Sequence, residues 1–137
     1  MSICSRRSRT RGQALAEFAL VLPLLLLFFM MIIDFGRAIY GYHTVANAAR
    51  AGARVASVDQ DVAAVTARAL SQTTGLNPDD LDVDVPPPPC AKIGCSAQVT
   101  VSYEYRALTP IIGSVVGPLT LSSTTEVPIE RVFDSAP

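Results

Sequence analysis

The chain has 137 residues, half of them apolar, which is enough for one small domain with a hydrophobic core. Its net charge of −1 hides an uneven distribution: four arginines and no acid precede Gly12, whereas the rest of the chain carries seven basic and twelve acidic residues. The arginines therefore flank one end of the chain and do not form a basic patch on the folded part, which excludes a nucleic-acid-binding surface.

A long apolar segment follows the arginines. Residues from Phe18 to Ile33 include no charged or polar side chain. A helix that starts at Ala14 and ends at Ile33 would be about 30 Å long, which is the thickness of the hydrocarbon core of a bilayer. We therefore predict a basic leader at residues 1–12 and a single transmembrane helix at residues 13–34. By the positive-inside rule, the N-terminus lies in the cytoplasm and the remainder on the extracytoplasmic side of the cytoplasmic membrane.

The helical pattern continues past the membrane, and we predict a helical stem at residues 35–58. One narrow, alanine-rich face recurs at spacings of three and four residues: Phe35, Ile39, Tyr42, Ala46, Ala49 and Ala53. This face can pack against the chain's own head, against the stems of neighbouring chains, or against both.

Residues 59–137 predict a small α+β head. A second helix is expected at about residues 60–73, with Asp59 as its N-cap and Gly75 just beyond its end. Alternating side chains predict strands at residues 81–85, 97–106 and 119–127, and residues 107–118 read as a loop. The last two strands are expected to pair antiparallel. Pro128 argues against a central place for the last strand.

The predicted fold class is therefore α+β. It combines a long N-terminal transmembrane and stem helix, a second short helix and a small antiparallel sheet of about three strands. The strand at residues 81–85 places Asp80, Asp82 and Asp84 on one acidic outer face. The spacing of these acids resembles a calcium loop, but the glycine and the distal glutamate of such a loop are missing, and solvation explains the acids.

Few other side chains suggest chemistry. Cys90 and Cys95 bracket four residues on the oxidising side of the membrane, so we predict a disulfide that contributes about 2 kcal/mol in the chain-entropy model. A metal site would need further ligands, which this segment lacks. The chain has one histidine, no nucleophile beside a base at a recognisable spacing and no phosphate-binding glycine loop. We expect no enzyme activity, no cofactor and no metal.

The junction between the leader and the apolar helix has a more specific pattern. The leader ends at Gly12, and then come Gln13, Glu17 and Phe18. This order is similar to the processing site of type IV pilin-like proteins, in which a membrane-embedded prepilin peptidase cuts after the glycine. The resemblance implies a processing site made of these four residues and a mature chain that begins at Gln13. It also implies that Glu17 contacts the α-amino group of a neighbouring subunit during assembly.

The resemblance extends past the membrane segment. Residues 11–54, with the RGQALAEF start, the IIDFGRAIY exit and the NAARAGAR stretch, look like the TadE-like family of pseudopilins from tight-adherence (Tad, or Flp) pilus systems. Residues 108–131 also resemble the closing strand region of that family. The resemblance implies a minor pilin-like subunit that assists pilus assembly and has no enzyme activity.

The partners that the resemblance implies are a prepilin peptidase, other pilin-like subunits, the Tad assembly machinery and the lipid bilayer. Whether such a subunit sits in the fibre, primes it or stays in the membrane complex is left open. A second class of function is also open: a single-pass, membrane-anchored exported domain that binds a ligand or a partner. The mature N-terminus separates the two, because only the first begins at Gln13.

Overall fold

The computed structural model describes residues 7–88 and 92–130, with side chains from Gly12 onward except those of Ile111, Ile112 and Val115. A 50-residue helix dominates it. In chain order the elements are α1 (Arg7–Ala56), α2 (Val62–Leu70), a short 3₁₀ turn (Pro78–Asp80), β1 (Leu81–Asp84), β2 (Ser96–Tyr105), α3 (Pro110–Val116) and β3 (Leu119–Pro128). The predicted α+β class, with its long helix, second helix and three-stranded antiparallel sheet, is confirmed.

The two halves of α1 lie in different surroundings. From Gly12 to Ile33 the side chains are almost all exposed, and this part is long and apolar enough to cross a membrane. Pro23 lies inside it without ending the helix. From Asp34 to Ala56 one face of the helix is buried beneath the head. The first half therefore projects as a candidate membrane anchor, and the second half is part of the core.

The sheet has the order β1-β2-β3, and both pairs of strands are antiparallel. The central strand β2 alternates as predicted, with one face buried: Ala97, Val99, Val101, Tyr103 and Tyr105. β3 pairs with β2 along its whole length and lies at an edge of the sheet, where Pro128 can end the strand without removing a hydrogen bond from an interior ladder. The antiparallel pairing of the last two predicted strands is confirmed.

The core forms where the backbone of α1 approaches the sheet and α2. A Cβ atom at Gly52 would lie 3.2 Å from Val99 Cγ1 and 3.3 Å from the Cβ of Ala69, so α1 contacts both layers at this glycine. A Cβ atom at Gly41 would lie 3.2 Å from Leu121 Cδ1 on β3. Between and beyond these glycines, alanines fill most of the buried face of the helix: Ala46, Ala48, Ala49, Ala53 and Ala56.

The head covers only part of the predicted stem face. Its three alanines, Ala46, Ala49 and Ala53, are buried against the head. The three large residues of the same predicted face, Phe35, Ile39 and Tyr42, are 68%, 43% and 50% exposed. The physical reason is the close approach at the glycines, because the sheet contacts the helix along its smallest side chains and leaves no room for aromatic rings there.

Two boundaries in the head also differ from the prediction. α2 starts after Asp61, whose carboxylate accepts a hydrogen bond from Ala63 N, whereas the predicted cap Asp59 accepts one from Asp61 N in the preceding turn. The predicted loop at residues 107–118 contains α3. Its start at Thr109-Pro110 and its end at Gly117, which has a φ of 71°, are ordinary helix start and stop signals.

We predict that Gly52→Leu destabilises the head, whereas Gly36→Leu does not. A leucine at position 52 would overlap Val99 and Ala69, and overpacking of this kind costs about 1–3 kcal/mol. A Cβ atom at Gly36 would have no heavy atom within 4 Å, so leucine there should leave stability unchanged or raise it slightly through helix propensity. Thermal unfolding of the full chain in detergent, followed by circular dichroism, measures both. Equal melting temperatures would contradict the close approach.

Candidate functional site

The four residues of the predicted processing site lie on consecutive turns near the start of α1. All are exposed: Gly12, Gln13, Glu17 and Phe18. The side-chain amide of Gln13 donates a hydrogen bond to Glu17 Oε1 at 3.1 Å, one helical turn away. The contact places the Glu17 carboxylate beside the residue that would become the N-terminus after cleavage.

Gly12 has no packing role among the residues whose side chains the structure describes. It lies inside α1, and beyond the neighbouring backbone of the helix no described heavy atom lies within 4 Å of the position that a Cβ would occupy. A glycine at such a position weakens a helix by about 1 kcal/mol relative to alanine, and nothing in the described fold requires it. The backbone is helical at Gly12 in the free chain, so binding in a protease cleft would need local unwinding.

A second polar cluster joins the apolar half of α1 to the head. Asp34, the residue directly after the apolar segment, is only 4% exposed. Its carboxylate accepts hydrogen bonds from two successive backbone amides, Leu108 N at 2.8 Å and Thr109 N at 2.9 Å. The hydroxyl of Tyr105 donates at 2.9 Å to the main-chain oxygen of Asp34 and lies 3.3 Å from its Oδ1.

These contacts make Asp34 a tertiary cap for α3. Thr109 is the N-cap residue of α3 and makes no capping bond with its own side chain, so the carboxylate from α1 occupies the place of a local acid at this helix end. A buried carboxylate with several donors avoids the large cost of an unpaired buried charge. The end of the apolar segment is thereby fixed to the connection between β2 and β3.

The electrostatics of this cluster keep the tyrosine protonated. Burial raises the pKa of Tyr105, and the negative charge of Asp34 raises it further. The phenol therefore remains a donor over the physiological pH range. The guanidinium carbon of Arg37 lies 5.9 Å from the centre of the Tyr105 ring, which adds a cation–π contact from the next turn of α1.

Sequence reasoning missed this role of Asp34 and treated the residue only as the end of the membrane segment. The signal was present, because Asp34 is the only acid between Phe18 and Val58. The second indication was the helix start at Thr109-Pro110, which has no acid in its first turn and so lacks a local negative charge at its N-terminus. Neither indication alone identifies the contact, since 75 residues separate Asp34 from Thr109.

A basic groove lies between α1 and α2, farther from the apolar segment. It encloses about 640 Å³ and is lined by three arginines, Arg50, Arg54 and Arg68, with Asn47 and Gln72 beside them. Within residues 12–88 and 92–130, no carboxylate lies within ion-pair distance of these arginines. Among the described residues these arginines therefore lack a carboxylate partner, and they form a small basic patch on the head that the sequence did not indicate.

The remaining sequence candidates have simpler outcomes. Asp82 and Asp84 are exposed on β1, as expected for an acidic outer face. Asp80 Oδ1 lies 3.9 Å from Arg106 Nη2, within ion-pair distance. Cys95 is disulfide-bonded, but Cys90 lies outside the described residues, so their pairing stays a prediction. Among the described residues, no group of three or more histidine, cysteine, aspartate or glutamate side chains is placed to hold a metal ion.

A single apolar N-terminal helix that projects from a small α+β head suggests a single-pass, membrane-anchored protein. Residues 12–54 match the family model described as TadE-like protein, so the resemblance is confirmed for this part of the chain, and the resemblance of residues 108–131 stays a prediction. The match begins at the glycine of the leader junction and ends two residues before the end of α1. Helix and match together fit a membrane-anchored protein related to Tad pili.

The match does not extend into the sheet or α2. No curated protein and no solved structure matches the chain.

We predict that Asp34→Asn loosens the junction between α1 and the head. An asparagine offers one acceptor oxygen, so one of the two backbone amides would face an NH₂ group, at a cost of about 1–3 kcal/mol. Hydrogen exchange at Leu108 and Thr109 should accelerate at least tenfold, in line with a loss of about 1.4 kcal/mol or more. Asp82→Asn is the matched control, because that carboxylate is exposed on β1. Unchanged protection in Asp34→Asn would contradict the capping role.

Proposed function

We propose that this chain is a minor pilin-like subunit that assists assembly of a Tad (Flp) pilus and is processed by a prepilin peptidase after Gly12. The observation that carries the proposal is the TadE-like match over residues 12–54, which begins at the glycine itself. The subunit would act through binding and assembly, with no catalytic role. Its leader would lie in the cytoplasm and its head on the extracytoplasmic side, as the arginines of the leader indicate.

The absence of a packing role for Gly12 supports processing at this position. The described fold gains no close contact from a glycine there and loses helix stability. A requirement outside the folded chain explains the residue better, and a peptidase that must unwind and enclose the backbone is such a requirement. Cleavage there would remove the arginines and keep the whole apolar helix on the mature subunit.

The surroundings of Glu17 support a role in assembly. Its carboxylate is exposed, and its hydrogen bond within the described residues goes to Gln13, which would be the first mature residue. The α-amino group of a mature chain has an unperturbed pKa of about 8 and is mostly protonated near neutral pH. A neighbouring subunit could therefore offer Glu17 a cation, which would offset the burial of the carboxylate among packed apolar helices.

The exposed surface of α1 supports contacts with other subunits. Ile39 and Tyr42 continue the apolar surface of the membrane segment along the stem, and the head leaves them uncovered. A stem that carries large apolar side chains on a free face is suited to pack beside the stems of other pilin-like subunits.

A second candidate function is favoured by the basic groove at Arg50, Arg54 and Arg68. In this alternative the chain is an anchored exported domain whose groove binds an acidic ligand or partner, and the leader is retained. The mature N-terminus separates the two proposals, because cleavage after Gly12 is required only by the first.

We expect Gly12→Val to block processing. A branched side chain at the scissile bond would prevent the backbone from entering a narrow cleft, and the apolar helix would be unaffected. Mass spectrometry of the membrane-extracted chain should find a wild type that begins at Gln13 and a variant that retains about twelve more residues. Gly36→Val is the control, since it makes the same change at another open helical position and should be cut normally.

If wild type and Gly12→Val share one N-terminus, the peptidase proposal is wrong. Because this class of peptidase cuts on the cytoplasmic side, a mature chain that begins at Gln13 also supports the proposed orientation.

Glu17→Gln should preserve membrane insertion and remove assembly. An unpaired carboxylate costs about 3 kcal/mol at mid-bilayer and less near the interface, so its neutral counterpart should insert as well or slightly better. The variant lacks the charge that would hold a neighbour's α-amino group, so it should no longer co-purify with pilin-like subunits or support pili. Glu130→Gln, an exposed change in the head, is the control.

The mature N-terminus must be determined in the same samples, because Glu17 belongs to the predicted processing site and its replacement could also alter cleavage. Normal cleavage, normal partner binding and normal piliation in Glu17→Gln would together rule out the assembly role.

A further inference from the structure

Large apolar side chains are exposed around the base of the head. Leu108 and Val116 are 64% and 60% exposed, and Phe35 and Leu119 are exposed beside them. We call these four residues the junction surface. Two of them, Leu108 and Val116, belong to the β2–β3 connection, and Leu119 is the first residue of β3. All three lie in a stretch without charge, because residues 107–125 include no acidic or basic side chain. Exposed apolar patches of this kind usually mark a site that binds a membrane or another protein.

The Asp34 contacts fix the height of this surface relative to the membrane segment. Asp34 directly follows Ile33, the last residue of the apolar run, and its carboxylate binds the amides of Leu108 and Thr109 at 2.8 and 2.9 Å. These two residues must therefore lie at the level where α1 leaves the hydrocarbon. Leu108, which is bound to Asp34, therefore lies at the bilayer interface when Ile33 lies at the end of the membrane segment.

A cavity of about 230 Å³ continues the junction surface toward the lipid. Its lining includes Met31, from inside the apolar run, together with Phe35, Val116 and Leu119. A cavity that shares one wall with the membrane segment lies beside acyl chains once that segment is inserted. The size and the apolar lining suit part of a hydrocarbon chain.

We infer that the junction surface binds the lipid bilayer, so that the head rests on the membrane through the β2–β3 connection and does not stand free on its stem. Leu108, Val116 and Leu119 enter the interfacial layer, and acyl chains fill the cavity beside Met31. Interfacial segments that present apolar side chains at this depth bind by removing that surface from water.

The charged features of the head agree with this orientation. Arg50 lies 17 residues beyond Ile33, which is about 25 Å along α1. The headgroup layer on one side of a bilayer is only about 5–8 Å thick, so the basic groove lies above it. The uncharged stretch of residues 107–125 faces the lipid, and the basic groove faces away from it. The paired side chains of Glu104 and Arg106 lie at the border, beside Gly117 and Pro118, where headgroups and water can solvate them.

Tryptophan fluorescence tests the inference on the full chain, because the natural sequence has no tryptophan. Val116→Trp and Leu70→Trp each add one reporter at an exposed apolar position, the first on the junction surface and the second on α2. Each chain is reconstituted at a low protein-to-lipid ratio in phosphatidylcholine vesicles whose acyl chains carry bromine near the headgroup. Leu108→Trp replaces the first variant if that one does not fold.

The expected result is blue-shifted emission from Val116→Trp and quenching by brominated lipid at least twofold stronger than for Leu70→Trp. Emission and quenching that match those of Leu70→Trp would overturn the inference. Blue-shifted emission without lipid quenching would also overturn it, because another protein chain would then cover the surface. The assay does not depend on cleavage after Gly12, so its failure is separate from a failure of the proposed function.

Discussion

One unbroken helix must satisfy two environments, and the change between them falls between Ile33 and Asp34. From Phe18 to Ile33 the side chains of α1 are mostly large, apolar and exposed, whereas beyond Ile33 the buried face consists mostly of glycine, alanine and Asp34 itself. The small face allows the sheet to approach the helix backbone closely. The buried carboxylate then ties the far end of the sheet to the same helix. The position and orientation of the head follow from these two contacts.

The parts of the fold that could be read from the sequence are those set by local patterns. The apolar run of α1 and the alternation of β2 each depend on side chains close together in the chain, and both are confirmed. α3 was missed because its seven residues are too few to show a helical period, although Thr109, Pro110 and Gly117 mark its ends. The exposure of Phe35 and Tyr42 could not be decided from the sequence, because helical periodicity shows which residues share a face and does not show how much of that face the head covers.

The candidate sites also divide into one that local sequence patterns could predict and others that depend on the tertiary fold. The processing site is a local motif, so the sequence alone could propose it, and the structure adds only that Gly12 lacks a packing reason. The Asp34 cluster and the basic groove depend on residues far apart in the chain, which meet only because α1 packs against the sheet and α2. The TadE-like match covers residues 12–54, so it lies within α1 and does not extend into the sheet or α2.

The continuity of α1 has a mechanical consequence. The helix has no break between the apolar segment and the core, so a movement of the membrane segment also moves the head that packs on the other half of the helix. A tilt of α1 by about 10° around Ile33 would move the helix near Arg50 sideways by roughly 4 Å, because Arg50 lies about 25 Å farther along the helix at a rise of about 1.5 Å per residue. A pull that draws the helix outward by one turn, about 5.4 Å, would lift the head by the same distance. Force applied to the membrane segment or to the head is thus transmitted to the other along α1, which has no hinge at the membrane surface.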